Sequence, residues 1–451
     1  MTGETLMDLK DCIRKLDAGG HLSHVRTETD PVHELSGLCS KLEGGKAVLF
    51  ENVKGCDIPV FSGMWWNREN VAAIFDTPMG RLPALFSKAV ASLKDAPVAP
   101  IIVENAPAQA VVMPRPDLSR FPVPTHAVQD GGPYFSDCVI IARDPDTDVR
   151  NASVHRLMVT GKSRLGILMD MGRHLRDYYE RAEARGEPLE ITINNGVHPA
   201  YFVAATTPSP AAPIDVDELS VASYLLGEPA RLCRSLTVGV EGIADAQIIM
   251  EAEILPNIRE PEGPFGEVSG YYARREDRWV VNVKAVTTQI NPILSSLHPG
   301  KEIINGQGLG VEADLMQTIG RQVKGLKDVC MTNGGNHYHV ILQMDPPNEG
   351  MAKNAIMAAF AAFSDLQMVT VVNGDIDIHK PEDIEFAMTT RCDPDKDIVI
   401  IRGAFGHELN PVVKNNVAAK VGFDCTYPVP KPKEYTRVSF MDVNEKNYVM
   451  D

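Results

Sequence analysis

At 451 residues the chain has room for two or three domains of about 100–200 residues and a core able to enclose a site, which excludes a small binding module. Lys and Arg number 44 against 60 Asp and Glu, a formal charge of −16 with no basic block, so nucleic acid and an anionic membrane surface are excluded as partners. Hydrophobic residues at 44% and charged residues at 23% exclude general disorder.

The N-terminus is polar with helical periodicity and no signal-peptide core, and no apolar run reaches the roughly 18 residues of a membrane span, which predicts a cytoplasmic protein. The eight cysteines contain no C-x-x-C pair, as suits a reducing compartment. In chain order, apolar spacing predicts a helix from Leu6 to Leu16, a strand from His21, a helix over Val32–Leu42 and a strand over Ala47–Glu51. This alternation marks an α/β unit over residues 1–112. The prolines of Met113-Pro-Arg-Pro and Phe121-Pro-Val-Pro open a second unit, 113–305.

That unit is mostly strand: Cys138–Ala142, Ser153–Thr160, Leu189–Asn194, Ala200–Ala204, Gln247–Leu255 and Trp279–Thr288, with helices over Met169–Arg185 and Glu218–Leu226. Such texture predicts an antiparallel sheet or barrel. Residues 306–451 return to α/β alternation with a largely parallel sheet: helix Glu312–Val323, strand Tyr338–Gln343, helix Met351–Phe363, strand Met368–Val372, helix Pro381–Thr389 and strand Ile398–Arg402. A Pro-rich tail from Tyr427 reads as an extended arm able to pack on a neighbouring subunit.

Three segments could carry chemistry. Arg259-Glu-Pro-Glu-Gly-Pro-Phe-Gly-Glu267 reads as a rigid loop holding three carboxylates and an arginine, which can split carboxyl pKa values into a proton donor and an anion. A solvated acidic turn is the alternative. In Asn151-Ala-Ser-Val-His-Arg156 an extended backbone puts Asn151, Ser153 and His155 on one face and Arg156 on the other, a density that suits phosphate or metal, or else an exposed strand edge. The third is Gly172-Arg-His174, inside the helix expected over Met169–Arg185, where His174 can be a satisfied polar residue. Further along, Glu218 opens a helix and has an ordinary reading as a helix-N-terminal acid. Gly306-Gln-Gly-Leu-Gly310 is not a dinucleotide fingerprint and reads as a backbone turn. His337-Tyr-His339 can line one face of a sheet rather than bind metal.

Together these residues resemble the UbiD family of prenylated-FMN-dependent decarboxylases over nearly the whole chain. The likeness rests on Asn151 and Arg156 five apart, His174 23 residues past the Asn, the acid opening Glu218-Leu-Ser-Val-Ala-Ser-Tyr-Leu-Leu-Gly, and the E-G-P-F-G-E run from Glu262 to Glu267. The resemblance implies an N-terminal α/β domain, a central flavin-binding split β-barrel and a C-terminal α/β domain that carries oligomerisation. It implies that Asn151, His174 and Glu218 hold a divalent metal, usually Mn2+, that bridges to the flavin phosphate, with K+ often sharing that site. Ser153, Arg156 and Arg173 fall among the cofactor-side residues. A dianionic phosphate in so acidic a chain needs a local cation, and a mixed O/N set suits such a metal.

The resemblance further implies a catalytic network of Arg156, Glu262 and Glu267, in which the substrate forms a covalent adduct with the modified flavin, loses CO2 and is protonated by Glu267. No side chain offers the electron sink that decarboxylation requires, so the cofactor must. His407 resembles the active-site histidine of the branch acting on hydroxylated aromatic acids, which favours a small aromatic or heteroaromatic acid of the furan, pyrrole, indole or phenol carboxylate type. His298 and Lys301 could reach a second polar group on the ring, or form a solvated turn. The implied partners are a UbiX-type flavin prenyltransferase as cofactor supplier and further copies of the chain, as a homodimer or hexamer. Two other readings stay open, a non-catalytic assembly subunit and an ordinary FMN oxidoreductase.

Overall fold

In the computed structural model, which describes residues 7–209 and 211–441, the first helix is Leu9–Ala18. Asp8 caps it by accepting from the Asp11 N–H at 2.9 Å, and Leu9, Cys12, Ile13 and Leu16 face the core. Strands Leu22–Val25, Ala47–Phe50 and Val60–Ser62 form a small sheet, which Leu294–Ser295 completes in parallel from far along the chain.

The centre is a nine-stranded sheet built on a long antiparallel hairpin of Ile248–Glu262 with Glu276–Thr288. Leu189–Asn195, Cys138–Arg143 and Arg150–Val154 extend it on one side, Arg164–Ile167, Leu157–Gly161 and Tyr134–Phe135 on the other, and the ninth strand, Val111–Met113, pairs with the end of Glu276–Thr288. Period-two alternation divides its faces: Cys138, Ile140 and Ala142 pack with helix His174–Ala184, while Val139 and Ile141 pack with helices Pro199–Ala205 and Leu219–Leu226 and the N-terminal helix. Five further strands form the C-terminal sheet, in the order Leu326–Met331, His339–Met344, Met368–Val372, Val417–Cys425, Ile398–Phe405. Among the described residues no helix is long and apolar enough to cross a membrane.

Several expectations are corrected. Ala200–Ala204 is not a strand but part of the helix Pro199–Ala205. An apolar run of this length has no decisive period, whereas Pro199 at the first turn and the His198 ring accepting from the Ala200 N–H at 3.1 Å start a helix. The strand expected over Ser153–Thr160 breaks at His155 and Arg156, between Arg150–Val154 and Leu157–Gly161. Helix Met169–Arg185 begins only at His174, since Gly172 is left-handed at φ +78°. Arg259–Glu262 is not loop but the end of the strand Ile248–Glu262, paired with Glu276–Trp279.

Gly306–Gly310 is no turn; it lies inside the helix Lys301–Gln322. A Cβ on Gly306 would meet Phe202 at 3.0 Å and Trp65 at 3.3 Å, so this glycine serves close packing. The C-terminal sheet is mixed rather than largely parallel, with two parallel and two antiparallel pairings. The connection from Met331 to His339 is too short for a crossover and forces a hairpin. Within the described residues the start of the tail has contacts inside its own chain, Lys431 lying 4.6 Å over the Tyr427 ring and Arg437 donating to Asp383 at 2.7 Å.

Glu302 ties three segments together. Fully enclosed at the start of the long helix, it accepts from the backbone N–H groups of His298 at 2.6 Å, Gly63 at 2.9 Å and Trp65 at 3.5 Å. Burial pushes its carboxyl from 4.5 up to about 8. The folded state therefore keeps a proton that the unfolded chain releases, and stability falls as pH rises from about 4.5 to about 8. Urea unfolding across that window is expected to show this decline in the wild type and a flatter profile in Glu302→Gln. An unchanged slope in the variant would exclude Glu302 as its source.

Candidate active site

Where the strands on either side of His155 and Arg156 part, Arg156 turns into the core and meets two carboxylates. Its Nε and Nη2 donate to Glu262 at 3.2 and 3.0 Å, and its Nη1 is paired with Glu267. Glu262 is fully buried and also accepts from the Tyr134 O–H at 2.9 Å. A buried carboxylate held by a two-pronged guanidinium and a phenol is satisfied, whereas unpaired it would be strongly destabilising. Gly263, at φ +91°, lets the chain turn directly after Glu262, so that Phe265 lies under Arg156 with its ring centre 5.3 Å from the guanidinium carbon.

A second polar cluster lies on the same strand, toward Arg150. Asn151 donates from Nδ2 to Glu218 at 2.8 Å, the Ala152 N–H donates to the other Glu218 oxygen at 3.0 Å, and the His174 Nδ1 stands 3.4 Å from Glu218. Glu218 does not cap its own helix; Asp217 accepts from Leu219 instead, at 3.0 Å. Burial raises the Glu218 carboxyl, against the opposing pull of His174 and the other hydrogen bonds. The Asn151 Oδ1 is buried without a hydrogen-bond partner. Among the described residues no group of three or more His, Cys, Asp and Glu is placed to hold a metal. A cation here therefore needs the Asn151 oxygen as its third donor beside His174 and Glu218. That orphaned oxygen, with a carboxylate whose ionised form a cation favours, fits a hard or borderline divalent ion.

Between the clusters runs a cleft. Ser153, His155 and Leu168 form one wall, Phe265 and Glu267 another, and the C-terminal domain closes the far side with His337, Tyr338, Phe363, Asp365, His407 and Leu409. The Ser153 hydroxyl is bonded to the His155 ring at 3.2 Å, and burial lowers His155 to about 4. His407 lines the cleft with Nε2 4.0 Å from Asp170, and Arg173 lies on its rim beside His174. Beneath Phe265 a neutral His126, lowered to about 3 by burial and the nearby His298, is bonded to Ser296 at 3.0 Å.

Of the residues singled out in the sequence, Ser153, Arg156, Arg173, Glu267 and His407 line the cleft. Glu262 backs it through Arg156, and Asn151, His174 and Glu218 form the adjoining cluster. Leu297 and Pro299 line it but His298 between them does not, and burial lowers its imidazole. The side chain of Lys301 lies outside the described residues. His337, read as able to line one face of a sheet, stands instead in a turn and lines the cleft. Tyr134, Asp170 and Asp365 were missed: Tyr134 sits in a two-residue strand, Asp170 in irregular chain and Asp365 in a turn, where no local pattern marks a pocket.

Known proteins resemble this chain along nearly its whole length. The central-domain model described as 3-octaprenyl-4-hydroxybenzoate carboxy-lyase Rift-related domain (UbiD) matches residues 101–302, and its N- and C-terminal companions match 13–89 and 306–425. An uncharacterized protein in the cooM 5' region of Rhodospirillum rubrum is 46% identical over 96% of this chain and 94% of its own. Anhydromevalonate phosphate decarboxylase of Methanothermobacter thermautotrophicus is 37% identical over 87% of this chain and 91% of its own. Among solved structures, the UbiD-class enzyme HmfF from Pelotomaculum thermopropionicum in complex with FMN superposes with a TM-score of 0.93, at 39% identity over 98% of this chain and 100% of that one; an evolved dimeric form of it is in complex with prFMN. Apo Klebsiella pneumoniae 3,4-dihydroxybenzoic acid decarboxylase (AroY) gives 0.90 at 31% identity, covering 98% of both chains.

Tyr134→Phe removes one of the donors to Glu262 and leaves a buried carboxylate oxygen to Arg156 alone. A loss of about 1–2 kcal/mol in unfolding free energy is expected by urea titration, and an unchanged midpoint would show that the phenol is dispensable.

Proposed function

The chain belongs to the UbiD family of decarboxylases, and from that membership we propose that it carries out reversible, non-oxidative decarboxylation of a small aromatic or heteroaromatic acid with prenylated FMN. The observation that carries this reading is the Arg156 pair with Glu262 and Glu267 at the wall of a cleft that adjoins the Asn151, His174 and Glu218 cluster. In this reading the nine-stranded central sheet is the split β-barrel that cradles the flavin, between an N-terminal α/β domain over residues 1–112 and a C-terminal oligomerisation domain.

Asn151, His174 and Glu218 would hold Mn2+ or another divalent ion for the flavin phosphate, with K+ beside it and with Ser153 and Arg173 on the phosphate side of the cleft. When bound, the prenylated flavin supplies the electron sink that no side chain offers. Arg156 orients the acid's carboxylate while its Nε and Nη2 hold Glu262 in a two-pronged pair. Glu267, sharing that guanidinium, delivers a proton to the ring carbon that loses CO2. Phe265 and Leu168 exclude water from the ring face, and His407 meets a polar substituent such as a phenolic hydroxyl. Support for an aromatic substrate comes from His407 in the cleft and from the likeness to the 3,4-dihydroxybenzoic acid decarboxylase. The protein works in the cytoplasm as a homodimer or hexamer, with a UbiX-type prenyltransferase as cofactor supplier.

Co-expression with such a prenyltransferase, followed by a panel of furan, pyrrole, indole and phenol carboxylates, tests the reaction by CO2 release and by exchange of ring hydrogen in deuterated water. Glu267→Gln is expected to lower kcat by about 100-fold or more; full activity in that variant would remove Glu267 from the donor role. Glu218→Gln or Asn151→Ala should weaken Mn2+-dependent FMN binding about 10–100-fold in a flavin fluorescence titration, and affinity that ignores both metal and substitution would refute the ligand set.

A further inference from the structure

Glu267 faces two cavities, not one. A second cavity shares Arg156, Leu168, Glu267 and Leu409 with the acid-binding cleft, and the exposed residues Tyr271, Arg274, Glu276 and Lys414 line it toward solvent. Its outer walls are the segment from Tyr271 to Arg278 in the central domain and the loop from Pro411 to Asn416 in the C-terminal domain. These walls are polar and charged of both signs: Arg274, Arg278 and Lys414 stand with Glu276 and Glu408. Arg278 donates to Glu276 at 2.6 Å while its Nε is buried without a partner.

Decarboxylation of a carboxylate breaks the C–CO2 bond and forms a C–H bond, so R–COO⁻ + H⁺ gives R–H + CO2. Each turnover therefore takes one proton from solvent. With flavin and acid filling the first cleft, its Phe265 and Leu168 walls keep water out, and a Glu267 that has given up its proton needs another face open to solvent. We propose that the second cavity is the proton port of the enzyme: water held there by Arg278, Glu276 and Glu408 reprotonates Glu267 from behind while the substrate side stays dry. The inference rests on the reading of Glu267 as the proton donor.

Two plugs from opposite walls test it, Ala273→Phe in the central domain and Lys414→Trp in the C-terminal loop; neither residue lines the acid-binding cleft. Both are expected to lower kcat about tenfold or more, to slow deuterium uptake into the product by the same factor, and to leave KM for the acid unchanged. Plugs that raise KM at constant kcat would make the cavity the substrate's route, and plugs that change neither would make it a passive groove; either result overturns the proposal. A crystal structure of the FMN-loaded protein with an unreactive acid in the first cleft decides the matter without turnover. Ordered water reaching Glu267 through the second cavity, and missing from the plugged variants, is expected, and a closed or dry cavity overturns the port. If the wild type releases CO2 from no ring acid, the reaction assignment fails while the water path still decides this one.

Discussion

One guanidinium shared by two carboxylates organises the centre of this molecule. Arg156 is held by Glu262, which is wholly out of water, and by Glu267 at the cleft wall. Removing three charges from water is tolerable only where they are mutually bonded in good geometry. That requires three pieces of chain to arrive together: the break between Arg150–Val154 and Leu157–Gly161, the last residue of the strand Ile248–Glu262, and the turn that follows it. The long hairpin delivers Glu262 in register with Glu276, and the left-handed Gly263 brings Phe265 and Glu267 back under the arginine.

The same short segment serves two stations. Asn151 lies within a strand and points at Glu218, while Arg156, beyond the break, turns toward the hairpin. The five-residue spacing thus sets the distance between a cluster suited to a cation and phosphate and one suited to a carboxylate and a proton. A protein with a net charge of −16 repels anions at long range, yet Arg156 places a local cation at the cleft wall, and a metal ion held as proposed would do the same at the Asn151 cluster. The C-terminal domain completes the enclosure with His407 and His337, and the helix Lys301–Gln322 connects it to the N-terminal sheet through Glu302.

Much of this was legible in the chain because it is local. Helices with clear apolar spacing, such as Leu9–Ala18 and Met351–Ala362, and strands with β-branched runs, such as Met368–Val372, formed where expected. The illegible parts are those where local pattern is silent or ambiguous. Pro199–Ala205 is uniformly apolar, so its period is hidden, and its start lies in His198 and Pro199. The glycines at 306 and 310 look like a turn, but Gly306 yields its side-chain volume to Trp65 and Phe202, contacts about 240 and 100 positions away in the chain.

By itself, the sequence determined the chemistry available: acid, base, cation and imidazole types at spacings that resemble one family, and a net charge that excludes polyanions. Only the tertiary structure decided which groups meet. Tyr134 reaches Glu262 across 128 positions, His407 arrives from another domain, and His298 is turned away from the cleft that its two neighbours line. Burial and pairing are properties of the packed interior. Charge state, satisfied hydrogen bonds and the second opening beside Glu267 therefore exist only once distant segments share a wall.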